Sequence, residues 1–130
     1  MNVWTKARLI FHLLRWRVSW DKRDLDYRPE DLDPKKFFSA RQAMALIPDG
    51  ATVMTCGMAA TARCSLFYWA IQDAFDRTGH PRDLTWLAVG AMGTRGKVPG
   101  SIEDLNKPGI IKCYIGGHLE TMKSILKIAD

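Results

Sequence analysis

Three times along this 130-residue chain an apolar, β-leaning run stops at a glycine and a helix-forming stretch follows. The runs are Ala51 to Cys56 ending at Gly57, Leu84 to Val89 ending at Gly90, and Ile110 to Ile115 ending at Gly116-Gly117-His118. Short buried strands that alternate with helices and lack tight hairpin turns predict an α/β fold. Its sheet is expected to be open and mostly parallel, with helices on both faces. Such a sheet presents ligand-binding loops at the carboxyl ends of its strands, so the three glycine-marked edges are where function is expected.

The chain is long enough for one domain with a real core and too short for two ordinary ones. No apolar run approaches the roughly 20 residues that span a bilayer. A net charge of +5 favours an acidic partner. Against nucleic acid, however, there is no arginine-rich block interleaved with aromatics, no helix-turn-helix and no zinc signature. Cys56, Cys64 and Cys113 are odd in number and lack paired metal-site spacing, so no metal site is expected. Cys56 and Cys113 fall inside strands that read as buried, which predicts reduced core thiols and a cytoplasmic protein.

Residues 1–20 carry Lys6, Arg8, Arg15 and Arg17 among Val3, Trp4, Leu9, Ile10, Phe11, Leu13, Leu14, Trp16, Val18 and Trp20, with no acid. A basic, tryptophan-bearing amphipathic helix suits a membrane interface or an organelle-directed segment. The commoner use of such a helix, and the one favoured here, is packing on protein with its cations solvated. Residues 21–36 are acid-rich and punctuated by Pro29 and Pro34, which reads as a solvated linker. The division expected is therefore an arm and linker over 1–36 and an α/β body over 37–130.

Within the body, Ser39 and Gln42 have capping-box spacing. A helix is expected from Ala40, turning Ala43, Leu46 and Ile47 inward. Pro48-Asp49-Gly50 is a turn. Leu66, Phe67, Ala70, Ile71, Ala74 and Phe75 recur at helical spacing before Gly79 and Pro81 stop the helix, so Phe67, Ile71 and Phe75 are expected inside. A final helix should hold Met122, Ile125, Leu126 and Ala129. The segment from Gly90 through Gly93 and Gly96 to Gly100 is rich in glycine, which lets a ligand approach the main chain. It nonetheless lacks both the P-loop ending and the dinucleotide spacing. His118 stands at a strand end, where a ligand contact or a structural hydrogen bond are both open readings. Glu30, Glu103 and Glu120 read as surface carboxylates. No nucleophile-elbow motif surrounds Ser65, and no residue is assigned a catalytic role.

The order of these pieces resembles the amino-terminal part of the family I coenzyme A transferases. The resemblance runs from Phe38-Ser-Ala-Arg-Gln-Ala-Met-Ala-Leu-Ile-Pro-Asp-Gly-Ala-Thr-Val53, through Pro81 to Thr85 and Gly90 to Gly100, to Pro108 through His118. It implies acyl-coenzyme A and a small carboxylic acid as substrates, with coenzyme A entering as substrate and no further cofactor. It also implies a chemistry in which a glutamate attacks the acyl-coenzyme A to form an anhydride and then a glutamyl thioester. The Glu-Asn-Gly-type motif that carries that glutamate is absent here, and Gly57-Met58-Ala59-Ala60 stands where the family has a run of glycines. The resemblance therefore predicts a partial enzyme, completed by a carboxyl-terminal half or β subunit and oligomeric. Its candidate substrate contacts are Gly57, Gly90, Gly93, Gly96, Gly116, Gly117 and His118. The other reading is a non-catalytic α/β interaction module whose basic arm binds a protein or a membrane surface.

Overall fold

The computed structural model describes residues 2–19, 24–28, 33, 35–57, 64–90 and 99–127. Its elements follow in the order α1 (Val3–Ser19), α2 (Ala40–Met44), β1 (Thr52–Cys56), α3 (Ser65–Thr78), β2 (Leu84–Val89), a 3₁₀ turn (Ile102–Leu105), β3 (Ile111–Gly116), a second 3₁₀ turn (Leu119–Thr121) and α4 (Lys123–Leu126). The strands form one sheet in the order β1-β2-β3. Both pairings are parallel, as the strand-helix alternation predicts, and a register shift at Leu84/Thr85 lets β3 slip by one residue.

Local chemistry explains the boundaries. Ser39 accepts from the Gln42 amide while the Gln42 side chain accepts from the Ser39 amide, closing the capping box that starts α2 at Ala40. α2 ends at Met44, one turn earlier than the apolar spacing suggests. Met44 is buried, Ala43 and Ile47 are half-buried, and Leu46 stands exposed. α3 ends on Gly79 in the left-handed conformation, whose amide donates to Phe75 O, as the glycine-proline stop predicts.

One face of the sheet is closed. Val53, Leu84, Trp86 and Ala88 pack there with Tyr68, Ala70 and Ile71 of α3, with Ile102 and Leu105, and with Met122 and Ile125. The inward face of α3 is thus rotated from the expected one: Tyr68 is fully buried and Ile71 with it, whereas Phe67 and Phe75 are half-buried. Leu25, inside the expected solvated linker, joins this core, and its carbonyl accepts from the Arg41 amide. Asp26 adds an ion pair to Arg41, which also reaches Asp73 at 2.7 Å.

The helices packed on the core lie against this closed face, and the opposite face is open among the described residues. Cys56 and Cys113 lie on the open face, so they are exposed rather than core thiols, as is Cys64 at the start of α3. Along α1 the apolar side chains described, from Val3 and Trp4 to Val18, are exposed. No helix of the described chain is long and apolar enough to cross a membrane.

Candidate functional site

Parallel pairing brings the three strand ends to one edge. There Gly57 and Gly90 touch directly: the Gly57 amide donates to Val89 O at 3.3 Å, and a Cβ on Gly90 would lie 2.4 Å from Gly57 O. Gly90 also holds φ +97, a region that side-chain-bearing residues avoid. Its lack of a side chain is therefore required by the chain's own packing before any ligand is considered. Gly116 is similarly crowded, its missing Cβ falling 2.9 Å from the Tyr114 ring and 3.0 Å from Ala88 O. Gly117 differs, with nothing within 4 Å of a Cβ. His118 follows in the left-handed conformation, exposed, with Nδ1 3.5 Å from the Glu120 carboxylate. Gly93 and Gly96 lie outside the described residues.

Beneath this edge is an aromatic cluster that glycine spacing does not reveal. The Tyr68 and Trp86 rings lie 5.8 Å apart and Phe67 and Trp86 6.1 Å apart, both pairs tilted. Trp86 Nε1 donates to Thr55 Oγ1 at 2.9 Å. The hydroxyls of Tyr68 and Tyr114 are buried and have no hydrogen-bond partner among the described residues. Tyr68 Oη lies beside Cys64 and Thr55 without meeting hydrogen-bond geometry to either. Burial first, and then its neighbour Cys64, hold its pKa far above the ordinary tyrosine value. Tyr114 is raised by burial as well. Both hydroxyls are thus held neutral inside the core, as donors that cannot act as bases.

A second unit fastens the far end of the glycine-rich segment. Asp104 Oδ2 accepts from the Gly100 amide at 2.6 Å and from Trp69 Nε1 at 2.9 Å, while Ser65 Oγ donates to Gly100 O at 2.7 Å. Gly100 fits only because it has no side chain: a Cβ would lie 2.5 Å from Ser65 Oγ. Helical spacing alone puts Ser65 inside a helix and singles out no role for Asp104. The available signal was a hydroxyl at the first position of α3 paired with an acid four residues past the last glycine.

The carboxylates divide. Glu120 is exposed, as expected, but Glu103 is 3% exposed, contrary to its surface reading. The 3₁₀ turn points it inward, where its Oε2 accepts from the Ser124 amide at 3.3 Å. Desolvation raises its pKa above the ordinary glutamate value, the Ser124 amide opposing and the Asp104 charge assisting. Among the described residues Glu103 is turned into the core and Glu120 stands solvated beside His118, so neither is held as a nucleophile at the glycine edge. Among the described residues no three metal-capable side chains come together.

At the opposite, amino-terminal end of the strands, Asp49 ties the turn before β1 to the approach to β2. It accepts from the Arg82 amide at 2.9 Å and meets His80 Nδ1 at 2.7 Å. These contacts, the Arg82 amide foremost, hold its carboxyl below the usual range.

A scan against models of known families gives no match. Over 58 residues, 45% of its length, the chain is 47% identical to a caffeate CoA-transferase of Acetobacterium woodii, of which the match spans 11%. It superposes on the acyl-CoA transferase YdiF of Escherichia coli O157:H7, crystallised as a thioester complex with CoA, with a TM-score of 0.63 and 26% identity. The superposition covers 69% of this chain and 18% of that one. The apoenzyme of the same protein gives the same TM-score and identity over 17% of its length. The chain thus spans less than a fifth of these relatives. In sequence over 58 residues and in fold over 69% of its length, this chain is coenzyme A transferase-like.

Proposed function

We propose that this chain is one part of an acyl-coenzyme A:carboxylate CoA-transferase. It contributes an α/β portion with its glycine edge, while the glutamate nucleophile lies in another segment or a partner subunit. The observation that carries this reading is the joint likeness in sequence and fold to CoA-transferases, over a body whose described glutamates are one buried and one solvated. Forming a glutamyl thioester requires a positioned carboxylate and donors for the developing oxyanion. Here Glu103 is sealed under α4 and Glu120 is solvated. Substrate contact is assigned to Gly57, Gly90, Gly116, Gly117 and His118, with the segment through Gly93 and Gly96 between them. The substrates are acyl-coenzyme A and a small carboxylic acid, the setting is cytoplasmic, and the working form is an assembly with a completing half or β subunit.

The test gives the purified chain acetyl-coenzyme A and an acceptor acid, with and without a co-expressed remainder of a related transferase. Turnover only in the presence of the remainder is expected. Turnover by the chain alone, lost in Glu120→Gln, would place the nucleophile here and overturn the division of labour. The second reading, an interaction module, draws on the exposure of α1, whose apolar side chains alternate with Lys6, Arg8 and Arg15. It gains ground if α1 binds anionic vesicles in a salt-sensitive way and no remainder restores turnover.

A further inference from the structure

Strand register assembles one surface that no described residue of the α/β body covers. Thr52, Met54 and Cys56 of β1 stand beside Thr85, Leu87 and Val89 of β2, and these beside Cys113 and Ile115 of β3. Not one of these side chains is charged, and Met54, Val89 and Ile115 are 65%, 55% and 52% exposed. A sheet face meant for water alternates to polar residues, whereas parallel sheets are covered on both faces. This face has the composition of an interior and the exposure of a surface.

Three occupants compete for it. The chain's own α1 is apolar and unpacked, but Leu25 is anchored in the core against α2, on the covered side. From Ser19 to Leu25 the backbone reaches at most about 21 Å. Layers on opposite faces of a sheet already lie about 20 Å apart, at about 10 Å per packed layer, which leaves no length to round the edge of β1. A second copy of this chain would bring the same uncharged face, with nothing to fix its register. The third occupant is the polypeptide that completes the fold. More than four fifths of the solved acyl-CoA transferase lies outside the part this chain matches, which is ample chain to supply a covering layer.

Resting on the completion reading above, we infer that the Met54, Leu87, Val89 and Ile115 face is the docking surface for the completing polypeptide, which lays an apolar helix face across it. The uncharged face selects against charged partner surfaces, and the thiols of Cys56 and Cys113 are sealed on assembly. Cys64, at the start of α3 on the other side, stays accessible.

The cysteines make the test. The full chain is purified alone, and again in complex with a co-expressed remainder of the acyl-CoA transferase. Modification by a thiol reagent is then followed at each cysteine by mass spectrometry. All three should react readily in the chain alone. In the complex Cys56 and Cys113 should slow by about tenfold or more, as buried sites reachable only by opening do, while Cys64 keeps its rate. Met54→Asp with Ile115→Asp should leave the circular dichroism of the lone chain unchanged and prevent the complex. A complex in which Cys56 and Cys113 react as before, or in which all three slow equally, overturns this inference and leaves the completion reading standing. Protection in the dilute lone chain would assign the face to α1, and protection that grows with its concentration would assign it to a second copy; either overturns the inference. Failure of the unmutated chain to form any complex overturns the completion reading together with the inference.

Discussion

At the scale of single residues, the buried polar groups carry the sharpest consequences. A buried hydroxyl without a partner bears a desolvation cost of about 1 to 3 kcal/mol, so Tyr68→Phe should raise stability by about 1 kcal/mol, against the loss usual for a bonded tyrosine. Urea denaturation decides it: a loss would mean that the Tyr68 hydroxyl is satisfied after all. Glu103 gives a pH dependence of known sign. Its pKa is raised in the folded chain, so the folded state holds the extra proton, and this contribution to stability is present at low pH and lost as pH rises through the raised value. Glu103→Gln keeps an acceptor for the Ser124 amide and removes the charge. The variant should therefore melt above the unmodified chain at pH 7, and the gap should close toward pH 4; a gap that widens in acid would refute the assignment.

At the scale of elements, packing rather than ligand space explains part of the glycine edge, and paired substitutions separate the two. Gly90→Ala adds a Cβ against Gly57 O in a left-handed backbone and should cost about 2 kcal/mol or more. Gly117→Ala enters open space and should leave the melting temperature unchanged, so any loss of coenzyme A binding in that variant would report ligand contact alone. Phe75 is half-buried rather than enclosed, and Phe75→Ala should cost about 2 kcal/mol, below the 3 to 5 typical of a sealed phenylalanine. Much of this was legible in the sequence. The strand at Leu84–Val89, the capped start at Ala40 and the stop at Gly79 follow from rules that act within a few residues. What escaped depends on contacts far apart in the chain. Tyr68 rather than Phe67 turns inward because it meets Trp86, and Asp104 matters because the fold returns Gly100 to Ser65 and Trp69. Cys56 and Cys113 read as core because their strands are apolar throughout, and a strand pattern does not say which face is covered.

For the molecule as a whole, the arm and the body are unequally joined. α1 shows exposed apolar side chains, whereas Leu25 is part of the core. Removing residues 1–23 should leave the unfolding free energy within about 0.5 kcal/mol. Removing residues 1–30 takes Leu25 and the Asp26 ion pair with it and should cost about 2 kcal/mol, as for other buried leucines. Equal stability of the two truncations would show that the Leu25 contact is idle.

The one-sided closure of the sheet also has a consequence for the order in which the chain acquires structure. β1, α3 and β2 are consecutive, and the side chains that close the first face, from Leu25 to Ile125, all belong to this chain, so that face closes without help from another polypeptide. A face closed from within forms as soon as its own chain is made, while a face that no described residue covers stays exposed in the meantime. During synthesis this body is therefore able to fold early and then wait. Its apolar face meanwhile offers chaperones a binding surface, and the docking proposed above would have to compete with aggregation for as long as that face stays bare.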